Sequence, residues 1–545
     1  MKSAYEPAAR LSDKLLSDRT VERIWARDPL AWGAQGGSAD AASIANRLGW
    51  LDIVSTMSPH RERLKRLSSE VHDEHLATMY LAGMGGSSLC AEVLRSVFGT
   101  APGFPDLVVL DTTDEHTLTQ VAQRLDPERA SFLIASKSGG TVEVASMERF
   151  FWRRMVAERG VSAGHHFIAI TDPGTVLEKL ALDRGYREIF QNPPDIGGRF
   201  SALSLFGLVP AAMIGAPVDT LLSAAGAMAD GCRQHNHANA GLELGAFMGA
   251  AALEGRDKLT VALAPSLSSL GLWIEQLVAE STGKHGKGLL PVVDEELGAP
   301  DEYGADRVFV SVATESESPD EGRLKALSAA GFPVLRLSTR RDALGAEFFR
   351  WEFATAIAGA ALGINPFDEP NVSEAKEKTK ALLSGFAAKG SFDEHPSDID
   401  ATVAAVRGAI DSLGRHDYVA FLSYLPASAA IESAIRSVRA ELRARKKVAT
   451  TFGVGPRYLH STGQYHKGGP NTAVAFVITS DDSTSTEVPE SEYSFSVLKR
   501  AQALGDIEAL QAHGRRVVRI HLPAGMPPAD AIRNVFERAL ASRQP

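Results

Sequence analysis

Cysteine is nearly absent: Cys90 and Cys232 are the only two in 545 residues. Together with a polar opening stretch, "MKSAYEPAARLSDK", that has no hydrophobic leader, this scarcity fits a chain working in a reducing cytoplasm. Long apolar runs are missing as well. The longest, such as "FATAIAGAALGI", stop well short of the ~20 residues that a membrane span requires, so no membrane insertion is expected. Nor is positive charge in excess. With 57 Lys and Arg against 67 Asp and Glu the formal charge is −10, which gives no general attraction for a phosphodiester backbone. The best local basic patch, Arg443, Arg445, Lys446 and Lys447, reads as a solvated helix end. No nucleic-acid partner is expected.

What is present is the composition of an ordinary globular protein, 44% hydrophobic and 23% charged, with length for two or three buried cores. Residues 1–75 read as helices joined by polar loops. From Thr78 short β-rich runs alternate with helical segments: "MYLAG", "DLVVLD", "SFLIAS", "HFIAIT" and "EIFQN", then "KLTVALAPS", "GLLPVV", "RVFVSVAT" and "PVLRLS", and later "YVAFLSYL", "AVAFVITS" and "RVVRIHL". That alternation predicts an α/β fold of parallel sheets covered by helices. The expected division is a helical segment 1–75, α/β domains over 76–235 and 236–400, and a C-terminal region 401–545 that completes the second domain and the site. A short internal similarity between "LAGMGGSSLCAEVL" and "LAPSLSSLGLWIEQL" suggests duplication of a strand, turn and helix unit. Two stretches, 389–401 and 479–492, read as linkers or flexible edges.

Two loops offer donors for an anion beyond the carboxyl ends of strands. The first, Gly83 to Ser88, contains Gly86 and Ser87; the second, Ser136-Lys137-Ser138-Gly139-Gly140-Thr141, precedes a helix. The first alone resembles a dinucleotide fingerprint, with Asp111 as its acidic partner. However, Asp111 lies 28 residues beyond Gly83 and Ser88 replaces the third glycine. A cup rich in Ser and Thr suits a phosphomonoester. Further along, "SLGLWIEQLVAESTGK" has helical spacing that puts Leu270, Trp273, Ile274, Leu277 and Val278 on one stripe, Glu275 opposite, and Glu280 at the stripe's edge in the last turn before Gly283. Partial burial and the negative end of the helix dipole would raise the pKa of Glu280, as a general base near neutrality requires. The plainer reading is a surface ion pair with Lys284. In "RYLHSTGQYHKGGPN", His460 and His466 sit in a loop suited to acid/base work. Their spacing is poor for a metal, and none is expected.

The segments "GMGGSS", "SKSGGT", "GGRFSALS", "QLVAESTGKHGKG", "NPFDEPNVSEAK", "LHSTGQYHKGG" and "SFSVLKRAQALGD", in this order over roughly residues 20–525, resemble the glucose-6-phosphate isomerase family, in the branch found fused to transaldolase in some bacteria. The resemblance implies two sugar-isomerase (SIS) domains, each a three-layer sandwich of parallel sheet and helices, and a homodimer whose sites draw on both chains. It also implies a cofactor-free interconversion of glucose 6-phosphate and fructose 6-phosphate through an enediolate, in glycolysis and gluconeogenesis. On matching positions Ser87, Ser136, Lys137, Ser138 and Thr141 would hold the 6-phosphate, Glu280 would transfer the proton, Gln276 would touch substrate, Arg199 would steady the intermediate and Lys376 would lie near the ring oxygen. The ring-opening histidine is left among His460, His466 and His285, with His460 preferred, because the family's Gly-Gln-His run is missing. Glu369 replaces a glutamine usual at the phosphate end. Rival readings are a related SIS isomerase acting on glucosamine or mannose 6-phosphate, a phosphosugar-sensing regulator, and a nicotinamide dehydrogenase.

Overall fold

The computed structural model describes residues 5–392, 398–482, 484–523 and 525–541. Thirteen strands are found among them: β1 (Thr78–Gly83), β2 (Asp106–Leu110), β3 (Ala130–Ala135), β4 (Phe167–Thr171), β5 (Glu188–Gln191), β6 (Lys258–Leu263), β7 (Leu290–Val292), β8 (Arg307–Ala313), β9 (Val334–Ser338), β10 (Tyr418–Ser423), β11 (Ala449–Val454), β12 (Ala473–Thr479) and β13 (Arg516–His521). Every pairing is parallel. Strands such as β3 and β12 are buried at every position. Their unbroken runs of Phe, Val, Ile and Ala therefore belong to sheets with helices on both faces rather than to sheets with one wet side.

The expected α/β architecture of parallel sheets between helices is present, and the number of sheets is three. They run β2-β1-β3-β4-β5, β7-β6-β8-β9 and β11-β10-β12-β13. The C-terminal strands add nothing to the second sheet. They pair among themselves and enclose their own core of Phe421, Phe476, Ile478 and Phe536 beneath flanking helices. Edge strands β7 and β11 lie side by side, where Arg439 joins them by donating to the carbonyls of Val293 and Thr450, both at 3.1 Å. All three sheets share one order, in which the second strand in sequence lies outside the first and the third lies on its other side.

The internal similarity falls at equivalent places in two of them. β1 leads through a 3₁₀ turn, Gly85–Ser87, into helix Leu89–Phe98, and β6 leads through Pro265–Leu267 into helix Leu270–Thr282. Between the first and second sheets the largest core holds Trp50, Trp273 and Trp351, all fully buried.

The 479–492 stretch departs from the expected flexible edge. Its described residues form a strap across the first sheet: Val488 is buried in that sheet's outer core, Thr486 donates to Glu115 at 3.0 Å, and Arg149 donates to Ser491 at 2.9 Å. Residues 393–397 of the other stretch lie outside the described residues. In the basic cluster, Arg443 is buried against Glu302, whereas Arg445 and Lys446 pair with Glu441 and Asp411. No helix among the described residues is long and apolar enough to cross a membrane.

Trp50 packs against Phe200, Phe349, Phe353 and Phe367 at centroid distances of 5.3 to 6.5 Å. Trp50→Ala removes that filling and is expected to destabilise the N-terminal half by about 3–5 kcal/mol. The change would be read as a fall in the first calorimetric transition.

Candidate active site

The first loop is shaped by close approach. Gly85 has φ +54°, and a Cβ there would stand 2.6 Å from the His460 carbonyl oxygen and 2.8 Å from the Gln276 amide nitrogen. A Cβ on Gly86 would meet the Gly198 carbonyl oxygen at 2.0 Å. Glycine at these two positions lets the turn after β1 touch the 198–200 turn and the 457–460 turn together. Ser87 is buried beside them. The second loop leaves β3 and enters helix Val142–Arg159 at Thr141, whose hydroxyl lies 3.0 Å from that of Ser136 and makes no capping bond to the helix. The helix's first N–H groups are thus left for an anion. Ser138 accepts a bond from the Gly140 N–H at 3.3 Å. Lys137 is drawn aside, its ammonium held by the Asp172 carboxylate and the Pro194 carbonyl.

Helix Leu270–Thr282 is buried on all sides rather than along one stripe, with Leu272 its least covered residue. Glu275, expected to face away from the core, is therefore buried too, and burial pushes its pKa up to about 7. Gly283 has φ −76°, not a left-handed conformation. It is small because Tyr465 packs on it: a Cβ would lie 2.5 Å from that residue's Cα.

Glu280, in the last turn, does not pair with Lys284 on the surface. Its Oε2 accepts from Gln276 Nε2 at 3.2 Å, and its Oε1 lies 3.6 Å from Arg199 Nη1. Burial raises the pKa of Glu280, the Arg199 charge pulls it down, and Glu369 pushes it up again, leaving it above the ordinary carboxylate range. Arg199 itself is fixed by bonds from Nε to Ser281 Oγ at 2.8 Å, from Nη1 to Glu369 Oε2 at 3.0 Å, and from Nη2 to the carbonyls of Pro366 and Asp368, both at 2.8 Å. Glu369 thus faces the arginine. Lys284 is buried against Asp368 Oδ1 and the Asn365 carbonyl, at 2.5 and 2.8 Å.

The three histidines separate clearly. His285 is exposed on a turn with φ +55°. His466 is buried, with Nδ1 2.7 Å from the Tyr418 hydroxyl, and burial pushes its pKa down to about 3. His460 joins the cluster. Its carbonyl accepts from Gln276 Nε2 at 2.7 Å, and its Nε2 lies 2.9 Å from Glu143 Oε1. Glu143 is the residue that sequence reasoning missed. Burial raises its pKa, but the charge and hydrogen bond of His460 outweigh that and hold it below the usual value. An acidic residue in the first turn of a helix reads as a dipole partner, and nothing in the sequence ties it to a histidine 317 positions away.

Thr141, Glu143, Lys376, His460 and Gln502 line one cleft of about 560 Å3. Gln276 ties Glu280, and through it Arg199, to the turn at the end of that cleft. Asp111, the acidic residue of the dinucleotide alternative, is half-buried just beyond the end of β2 with Arg457 3.7 Å away, which occupies the carboxylate a ribose would need. Among the described residues no group of three or more His, Cys, Asp or Glu is arranged to hold a metal ion.

A family model described as phosphoglucose isomerase matches residues 61–298. The glucose-6-phosphate isomerase of Rubrobacter xylanophilus is 30% identical over 382 residues, covering 59% of this chain and 86% of the relative. That of Staphylococcus saprophyticus is 28% identical over 393 residues, covering 63% and 88%. A solved structure of a hypothetical protein from Thermus thermophilus superposes with a TM-score of 0.61 at 25% identity, over 70% of this chain and 97% of that one.

The buried ammonium beside Arg199 generates a stability prediction. Burial and the Arg199 charge depress the pKa of Lys284 from 10.5 to about 8. Between these values the unfolded chain binds the proton that the folded chain has released, so this group's contribution to stability rises with pH across that window. Relative to Lys284→Met, the wild type is expected to gain up to about 3 kcal/mol from pH 8 to 10.5. Urea unfolding of both proteins across that range checks it.

Proposed function

The chain belongs to the phosphoglucose isomerase family and interconverts glucose 6-phosphate and fructose 6-phosphate, a step of glycolysis and gluconeogenesis, and we propose that the cluster around Gln276 is where it does so. The observation that carries this reading is that one amide, Gln276 Nε2, bonds both the Glu280 carboxylate and the His460 carbonyl. A candidate base and a candidate ring-opening acid are thereby held side by side at the end of a cleft of suitable size.

In this reading the 6-phosphate is anchored by Gly86, Ser87, Ser136, Ser138 and Thr141, with Lys137 supplying charge from its place on Asp172. Binding the remote phosphate orients the reacting end of the sugar, where proton transfer demands close alignment. His460, oriented by Glu143 and assisted by Lys376, moves the proton between the ring oxygen and O1 that opens the cyclic form. Glu280 takes the C2 proton, the electron pair forms the C1=C2 enediolate, and return of the proton to C1 gives the ketose. Arg199 stabilises the developing oxyanion. What supports that role is its rigid seat, since a charge fixed by four hydrogen bonds needs no reorganisation when the oxyanion forms. No step calls for a cofactor or a metal. We also place the enzyme in the cytoplasm as a homodimer; its two buried, free cysteines suit a reducing compartment.

Two outcomes are expected. Glu280→Gln keeps the shape and the Gln276 contact but cannot accept a proton, so kcat should fall by at least ~100-fold with KM for fructose 6-phosphate little changed. A coupled assay reads both. The acid limb of kcat/KM should lie above the ordinary carboxylate range, because the base must be ionised and burial opposes that. In Arg199→Met the limb should move to still higher pH, since the charge that lowers the Glu280 pKa is gone. An unshifted limb would remove Glu280 from the proton-transfer step.

A further inference from the structure

The segment "SFSVLKRAQALGD" carries part of the family resemblance, yet none of its residues enters the reaction above. It folds into helix Phe495–Ala512, where Lys499, Gln502 and Asp506 share one face and are all buried. Burying three polar side chains on one helix is unfavourable unless each is bonded. Lys499 donates to Asp114 at 2.9 Å and to Asp482 at 2.5 Å. Asp506 accepts from the Tyr458 hydroxyl and from Lys467, both at 2.6 Å. Gln502 reaches the Glu143–His460 pair.

We propose that Gln502 is a positioning residue for ring opening: its amide, oriented by Thr113, holds Glu143 in place as the acceptor that fixes the His460 imidazole. The proposal rests on the reading of His460 as the ring-opening group. Thr113 Oγ1 donates to Gln502 Oε1 at 2.9 Å, which turns the amide nitrogen towards Glu143. Gln502 Nε2 then donates to Glu143 Oε1 at 2.7 Å, the same oxygen that faces His460 Nε2 at 2.9 Å. Two donors converging on one carboxylate oxygen favour its ionised form. That keeps the imidazole proton on Nε2 and leaves Nδ1 as the nitrogen that exchanges a proton with the sugar.

Without the Gln502 donor, the charge on Oε1 falls on the imidazole alone. The carboxylate is then free to turn, the imidazole loses its fixed orientation towards the sugar, and ring opening slows. Besides Glu143, the charged groups that the described residues place around His460 are Glu280, on helix Leu270–Thr282, and, lining the same cleft, Lys376 and Lys380 on helix Val372–Lys389, Arg149 on helix Val142–Arg159, and Glu490 and Glu492 of the strap. Substitution at 502 changes none of them.

Opening and reclosing the ring interconverts the α and β anomers of glucose 6-phosphate without moving the C2 proton. Exchange between anomers, measured by NMR on the full chain, therefore reads ring opening alone. Gln502→Leu is expected to slow it at least about tenfold, the scale of one lost hydrogen bond to a charged group. Gln502→Glu should recover activity at low pH, where the new carboxyl carries a proton to donate to Glu143, and lose it as pH rises. Thr113→Val, which leaves the amide unoriented, should act in the same direction as Gln502→Leu and decides the matter if that variant fails to fold. Glu280→Gln separates the two readings, since it should lose isomerisation while keeping anomer exchange. An isomerising Glu280→Gln enzyme, or a wild type without anomer exchange, overturns the assignment of the site. With those controls as expected, wild-type rates in Gln502→Leu and Thr113→Val, or equal loss at every pH in Gln502→Glu, overturn the role of Gln502.

Discussion

One primary amide joins parts of the chain that are far apart in sequence. Gln276 lies on the helix that follows the first strand of the second sheet, and its two donated bonds end on Glu280 and on the carbonyl of His460, which follows a strand of the third sheet. The first sheet closes the arrangement, because the turn after β1 lies against the Gln276 amide and the His460 carbonyl and has no room for a side chain at Gly85. Three sheets thus meet at a point a few ångströms across. The geometry of the proposed site is fixed by backbone contact as much as by any side chain.

That meeting point is densely charged, and its charges are buried. An isolated ion in such a place would be strongly unfavourable, and pairing offsets this only when the remaining donors and acceptors are also bonded. Arg199 meets the condition through Ser281, Glu369 and two carbonyls; Lys284 meets it through Asp368 and a carbonyl. Glu280 meets it least well, with one amide bond and a guanidinium at 3.6 Å. A carboxylate left less satisfied than its neighbours is the one whose proton affinity rises, which is the property a base near neutrality needs. In the proposed reaction the cations around it act even where they do not touch substrate, because Arg199, His460 and Lys284 set how far burial can push that affinity.

The strands were legible because they rest on local signals, continuous β-branched and aromatic runs, and the two candidate anion loops because glycine is followed there by hydroxyl residues before a helix; the order of strands within each sheet was not legible. The sequence also singled out Glu280 from its place in a last turn. The stripe drawn for that helix was too narrow, because the residues that cover its polar side, among them Arg199 and Tyr465, come from distant segments. Similar reasons account for what was missed. A third sheet cannot be told from an extension of the second when all the strands look alike, for pairing depends on which edge is free. Glu143 and Gln502 gave no local sign, since each acquires its meaning only by touching a partner more than 300 positions away. The glycines at 85 and 86 lie in a loop read for its anion donors, and the structure adds that they are contact surfaces.

The repetition of one strand order in three sheets gives this division of labour a physical basis. A unit of strand, turn and helix has two electrically different ends. At the start of the helix, unpaired N–H groups and the positive end of the dipole favour an anion; the first sheet turns that end towards the cleft, with the 136–141 loop opening helix Val142–Arg159. At the far end, the negative dipole opposes ionisation of a carboxylic acid, and in the unit that follows β6 that is the end bearing Glu280. The unit that follows β3 thus suits a phosphate and the unit that follows β6 suits a base of raised proton affinity, although both are built as strand, turn and helix. The third sheet then has only to present His460 and its support, through a turn at the end of β11 and the buried face of helix Phe495–Ala512.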